Sequence, residues 1–246
     1  VRRVSRGTRG VGFRPFIHRV ATGLGLGGAV WNHDTGVTVQ VWGSPQALDA
    51  FERAVPATLP PLAELTAWER EALAPPAGRP PSDFRILASR RTGAGAPRRV
   101  AVDTAPCAAC LAEIADGGDR RYRHPFVNCT DCGPRYTIVR DLPYDRSRTS
   151  MAGFPLCPDC AREFADPTDR RFHAQPVCCP ACGPTLTFLR PGSASSPTRG
   201  AEALEAGVRL LATGRILAVK GVGGYHLAVS ASDEAAVRRL RERKGR

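Results

Sequence analysis

No run of apolar residues in this sequence approaches the roughly 18 that a membrane span needs, which excludes a chain that crosses a bilayer as a helix. The opening residues Val1-Arg2-Arg3-Val4, soon followed by glycines, lack the apolar stretch of a secretory signal, so a cytoplasmic location with no membrane partner is expected. Aromatic residues are few: nine Phe, three Trp and four Tyr in 246 residues. That scarcity disfavours a nucleic-acid surface in which exposed aromatics interleave with basic residues. Acidic residues are outnumbered, 23 against 35 basic, for a net charge of +12. The excess suits anionic partners such as phosphorylated metabolites, nucleotides or nucleic acid, although the arginines are scattered and read equally well as solvated faces. Cysteine is absent before Cys107 and after Cys182, which excludes a disulfide framework spread through the chain. No methionine opens the chain, and it stops just after a helical pattern, so a piece of a longer protein is expected.

What is present is concentrated in the middle. Eight of the nine cysteines form four C-x-x-C pairs: Cys107/Cys110, Cys129/Cys132, Cys157/Cys160 and Cys179/Cys182. A shift of 50 residues carries the first two pairs onto the second two. The same shift carries Glu113 onto Glu163, Asp119-Arg120-Arg121 onto Asp169-Arg170-Arg171, and Gly133-Pro134 onto Gly183-Pro184. A fixed offset over so many positions is an internal repeat. Within each unit 18 residues separate the pairs, the spacing of the two knuckles of a zinc ribbon. Two residues between cysteines let one tight turn present both thiolates to one ion, and a second turn closes the tetrahedron. With four protein ligands no position stays open for substrate, so two structural zinc ions are expected. Cys178 falls on Asn128 under the shift and is expected to be a spare thiol. His124 and His173 are alternative ligands that the count does not require.

The first 88 residues predict a β-α-β-β-α-β order, the ferredoxin-like arrangement. Strands are expected at Val1–Ser5, Ala29–Asn32, Val37–Trp42, near Leu65–Glu69 and at Phe84–Leu87. Phe16, Ile17, Val20, Ala21 and Leu24 keep helical spacing after Pro15. Ser44 is suited to cap a second helix that starts at Pro45. Val37, Val39 and Val41 alternate with Thr38, Gln40 and Trp42, predicting one buried face. Successive N–H groups in a glycine-rich loop that enters a helix form a concave anion site. Here that loop spans Gly7 to Gly12, with the planar cation of Arg14 at its edge.

Gly10-Val11-Gly12-Phe13-Arg14 resembles the acylphosphatase signature G-V-x-F-R, and Asn32 lies where that family has its catalytic asparagine. The resemblance implies a phosphate-binding loop of Arg9, Gly10, Val11, Gly12, Phe13 and Arg14, with Arg14 holding the phosphate and Asn32 orienting the attacking water. The loop departs from the family's G-x-V-Q-G-V. Either one residue is missing, or Arg9 and Arg6 stand for the glutamine and the first glycine.

Toward the other end, Pro191–Gly200 reads as a linker. A helix is expected over Ala201–Ala212, a buried strand over Ile216–Val219, and a helix over Asp233–Arg243 capped by Ser232. Lys220-Gly221-Val222-Gly223-Gly224-Tyr225-His226-Leu227 resembles the opening of a YrdC-like domain, and Lys244-Gly245-Arg246 its K-x-R motif. That resemblance implies nucleotide binding by Lys220, Lys244 and Arg246.

Taken together, loop, cysteine spacing and C-terminal motif are similar to the HypF family of carbamoyltransferases. The implied fold is α+β and multidomain: a ferredoxin-like acylphosphatase domain (residues 1–88), a linker (89–100), two tandem zinc-ribbon-like modules (101–190), a second linker (191–200) and the beginning of a YrdC-like α/β domain (201–246). The implied chemistry is hydrolysis of carbamoyl phosphate and ATP-dependent carbamoyl transfer, with Mg, to the C-terminal cysteine of HypE, in the making of cyanide ligands for [NiFe]-hydrogenase. A plain acylphosphatase with a zinc scaffold and a zinc-ribbon nucleic-acid-binding module are the rival readings.

Overall fold

The computed structural model describes residues 2–5, 8–9, 12–33, 36–60, 63–65, 69–72, 81–90, 103–190, 192 and 196–245. They form two compact units, Val1–Gly183 and Pro184–Arg246.

The first unit opens with β1 (Arg2–Ser5) and β2 (Thr8–Arg9). Helix α1 (Phe13–Gly23) follows, then β3 (Gly27–His33), β4 (Gly36–Trp42) and α2 (Pro45–Ala57). Three short strands come next: β5 (Glu64–Leu65), β6 (Glu69–Ala72) and β7 (Phe84–Ile86). Five of the strands make one sheet in the order β6-β1-β4-β3-β7. All neighbours are antiparallel except β3 and β7, which run parallel. The first four positions hold the fourth, first, third and second strands of a β-α-β-β-α-β unit, as the ferredoxin-like arrangement requires.

Helical periodicity explains the core. Phe13, Phe16, Ile17 and Ala21 of α1 and Leu48, Phe51 and Val55 of α2 meet Val30, Val37, Val39 and Val41 of the sheet, with Leu26 and Phe84 at its margin. A fully buried side chain of this kind contributes about 1.5–3 kcal/mol. Ser44 caps α2 as expected, its hydroxyl accepting from Ala47 N at 3.2 Å.

Several expectations need correction. Helix α1 begins at Phe13, before Pro15, because Gly12 serves as its N-cap in a left-handed conformation (φ 69°). The single strand expected near Leu65–Glu69 is two strands. One pairs with β2 outside the main sheet, and the other pairs with β1. Thr38, expected on an open face, is buried, and its cross-strand partner on β3 is the buried Trp31.

In the cysteine region, α3 (Ala108–Ala115) and α4 (Pro158–Ala165) occupy equivalent places in the two repeats. Each is N-capped by the first cysteine of its pair, Cys107 or Cys157.

The second unit pairs β8 (Thr187–Phe188) with β9 (Thr198–Arg199), so the end of the expected linker is strand. Helix α5 (Gly200–Ala212) leads to a hairpin of β10 (Leu217–Lys220) and β11 (Tyr225–Ala228), and α6 (Glu234–Lys244) follows. The strand expected to be buried is instead largely exposed on its two-stranded sheet: Val219 is 45% accessible and Tyr225 71%. The cap of α6 is Asp233 rather than Ser232, its carboxylate accepting from Ala236 N at 3.0 Å.

Candidate anion site and metal centres

Gly12 sets the geometry of the anion site. Its left-handed backbone turns the incoming chain into α1, and its carbonyl accepts the first helical bond from Phe16 N at 2.8 Å. A side chain here would be strained by the positive φ, and its Cβ would stand 3.2 Å from the Thr130 carbonyl. The first turn of α1 has neither a side-chain cap hydrogen bond nor an acidic residue, so its positive end can receive an anion.

Arg14, the second residue of α1, is buried. Its Nη2 pairs with Asp145 Oδ1 at 3.2 Å and its Nη1 lies 3.5 Å from Ser89 Oγ. Burial pushes the guanidinium below the ordinary arginine pKa, and the charge of Asp145 and its hydrogen bond pull the other way. Asn32 lies near the end of β3 and is partly buried. Its backbone carbonyl accepts from Arg90 N at 2.9 Å, so the Ser89-Arg90 segment touches the Arg14 side chain and the Asn32 backbone. Of the expected loop, Gly10 and Val11 lie outside the described residues. Arg9 is placed in β2, while Gly12, Phe13 and Arg14 form the start of α1.

The second repeat also packs against α1. The ring of His18 on α1 meets Phe172 edge-on at 5.1 Å, and Phe172 meets His173 at 4.6 Å. Burial and then the charge of Arg14 and of His18 lower the His173 pKa to about 4. Neither His173 nor His124 belongs to a cysteine cluster.

The cysteines gather as the 50-residue repeat demands. Cys107, Cys110, Cys129 and Cys132 form one cluster and Cys157, Cys160, Cys179 and Cys182 the other, with the sulfurs of each within 4.8 Å of one another. A zinc ion with four sulfurs at about 2.3 Å spaces them about 3.8 Å apart along each tetrahedral edge. The sulfur separations match: 3.7 Å for Cys107 to Cys129, 3.8 Å for Cys129 to Cys132, 3.7 Å for Cys157 to Cys179 and 3.8 Å for Cys179 to Cys182. Donor type and geometry thus fit zinc at both clusters. Cys178 stays outside, its sulfur 3.4 Å from His124 Nε2.

Sequence reasoning missed how the repeats engage each other. Arg120 and Arg121 of the first repeat reach Cys160 Sγ of the second at 3.2 and 3.5 Å. Both also pair with Glu163. Reciprocally, Arg170 reaches Cys107 Sγ and Cys110 Sγ at 3.6 and 3.3 Å, and Arg170 and Arg171 pair with Glu113. Each cluster therefore receives arginine donors from the other repeat, an internal counterpart of a two-fold interface. Four thiolates around one zinc carry a net negative charge, which these arginines offset. Burial alone would raise the Glu163 pKa, but hydrogen bonds from Arg121 and Arg120 prevail and hold it down at about 2.

In the second unit, Lys220 ends β10 with its Nζ 5.6 Å from the centre of the Tyr225 ring, and Lys244 lies in the last turn of α6. Both side chains are exposed. A Cβ at Gly221 would stand 2.7 Å from His226 Nε2, so any larger residue there would move the exposed His226 ring. Arg246 lies outside the described residues. Among the described residues no helix is long and apolar enough to cross a membrane.

Comparison with known proteins agrees along the whole chain. A family model described as HypF finger matches residues 107–139 and again 156–189, and the acylphosphatase model matches 7–86. A model described as telomere recombination matches 209–246. Carbamoyltransferase HypF2 of Cupriavidus necator is 49% identical over 99% of this chain, which covers 30% of that protein. Carbamoyltransferase HypF of Rhodobacter capsulatus is 47% identical over 99% of this chain, covering 31% of it. A crystal structure of full-length HypF in the phosphate- and nucleotide-bound form superposes with a TM-score of 0.86 at 41% identity, over 100% of this chain and 31% of that one. The structure of T. kodakarensis HypF gives 0.83 at 37% identity, over 100% of this chain and 30% of that one. The chain thus spans just under a third of the relatives it matches.

Proposed function

Because the chain belongs to the HypF family, we propose that its first unit hydrolyses carbamoyl phosphate and that the zinc modules hold the hydrolytic site together. The observation that carries this reading is the helix start at Gly12, which leaves an uncapped N-terminus beside the buried cation of Arg14. Arg14 takes the phosphoryl oxygens with its fork of donors. Asn32 orients the water that attacks phosphorus, and carbamate leaves. The zinc ions supply no open coordination position; they hold their modules folded.

The boundaries we propose are an acylphosphatase-like domain over 1–88, a linker over 89–100, zinc modules over 101–190, a linker over 191–200 and the start of a YrdC-like domain from 201 to 246. In the whole protein, carbamate and ATP with Mg form a carbamoyl adenylate at a site to which Lys220, Lys244 and Arg246 contribute. The carbamoyl group then passes to the C-terminal cysteine of HypE. The setting is cytoplasmic, where the cysteine thiols stay reduced.

Substitution separates the two roles at the hydrolytic site. Arg14→Ala is expected to abolish both phosphate binding and turnover of carbamoyl phosphate. Asn32→Ala is expected to keep phosphate binding and slow turnover about 100-fold or more. Weakened binding with intact turnover in Asn32→Ala would refute the assignment.

A further inference from the structure

Asp145 sits in the segment between the two zinc modules, and nothing in the acylphosphatase signature points to it. It nevertheless holds Arg14, with only 10% of the arginine side chain and 22% of its own accessible. Both of its neighbours are anchored. On one side the Tyr144 hydroxyl accepts from Arg135 N at 3.1 Å, next to the first cluster. On the other, Arg146 donates through Nη1 to the carbonyls of Gln175 and Val177 at 2.9 and 2.7 Å, and through Nη2 to that of Phe154 at 2.5 Å. Arg146 N also donates to Gln175 Oε1 at 2.8 Å. The carboxylate is thus presented to Arg14 by a braced segment.

We propose that Asp145 is the built-in counter-ion of Arg14, a positioning residue supplied by the zinc region, and that a phosphoryl dianion binds by exchange with it. The inference rests on the reading of Arg14 as the phosphate-holding residue. Charge drives the exchange. A guanidinium buried without a partner is costly, and a carboxylate removes that cost while the site is empty. Asp145 engages one nitrogen of the fork, at a single point. A phosphoryl group carries more charge and can engage two nitrogens in parallel, so it displaces the carboxylate. A carboxylate that stayed would stand beside the incoming dianion and repel it. The exchange sets a threshold: monovalent anions gain too little to displace Asp145, whereas acyl phosphates and inorganic phosphate do. It also weakens the hold on product phosphate.

Calorimetric titration of the 246-residue chain with inorganic phosphate tests this. Asp145→Asn keeps a hydrogen-bond acceptor and removes the charge. It is expected to bind phosphate about tenfold more tightly, equivalent to about 1.4 kcal/mol, and to lower KM for acyl phosphate. A residue that only held the fold would give weaker binding when altered, never tighter. Unchanged or weaker binding in Asp145→Asn, with binding abolished in Arg14→Ala, would overturn the exchange and leave the anion-site reading standing. Binding that survives Arg14→Ala would bring down that reading, and the exchange with it. The unaltered chain crystallised with phosphate provides an independent readout: the Arg14–Asp145 pair should be open and the phosphate on Arg14. Phosphate on Arg14 with the pair intact would overturn the proposal.

Discussion

At the scale of single residues, position in the repeat decides chemistry. Cys178 and Cys179 are adjacent, yet only Cys179 joins the second cluster, while Cys178 turns toward His124. Cys179→Ser should therefore lose one of two zinc ions by elemental analysis, and Cys178→Ser none; the reverse pattern would refute the register. His173 illustrates a second residue effect. Its folded pKa, about 4, lies below the ordinary histidine value of 6.5, so the folded state favours the neutral ring. The stability this supplies is complete above pH 6.5 and is lost as pH falls toward 4. His173 has a left-handed backbone (φ 55°), which asparagine tolerates better than most residues. In urea titrations His173→Asn should lose about 1 kcal/mol less than the unaltered chain between pH 7 and 5.5, after allowance for partial exposure. An equal loss in both would show that the ring does not titrate in this way.

Between elements, the decisive feature is the reciprocal engagement of the two zinc modules. Glu113 on α3 holds Arg170 and Arg171, and Arg170 in turn donates to Cys107 and Cys110. Groups that support metal ligands commonly change affinity roughly 10- to 100-fold when removed. Arg170→Gln, a change in the second repeat, should therefore speed zinc release from the first cluster. A Cys179→Ser background, where only the first ion remains, shows which cluster responds. Release at an unchanged rate would mean that the modules bind metal independently.

Much at this scale was legible beforehand. The cysteine offset gave the ligand sets, and helical periodicity gave α1 and α2. Arg120, Arg121 and Glu113 recurred with the cysteines, yet spacing along one chain cannot say that each serves the opposite cluster. Asp145 was illegible for the same reason, since its partner lies 131 residues away. The exposure of β10 went against its apolar sequence because β11 is its only pairing partner among the described residues.

The whole molecule joins three parts of different character. The ferredoxin-like sheet places Asn32 and carries α1, whose first turn holds Arg14 of the proposed anion site. The zinc modules have a small apolar core around their cysteines, to which bound metal adds folding free energy, and they bring Asp145 to Arg14 of α1. The second unit leaves Val222 and Tyr225 78% and 71% accessible beside Lys220. The proposed nucleotide site draws on residues of this unit, whereas Arg14, Asn32 and Asp145 of the proposed hydrolytic site all lie in the first unit. The most direct test is phosphate release from carbamoyl phosphate by this chain with no ATP present. Hydrolysis at Arg14 predicts steady release that disappears in Arg14→Ala while both zinc ions are retained. No release without ATP, or release unaffected by Arg14→Ala, would contradict it.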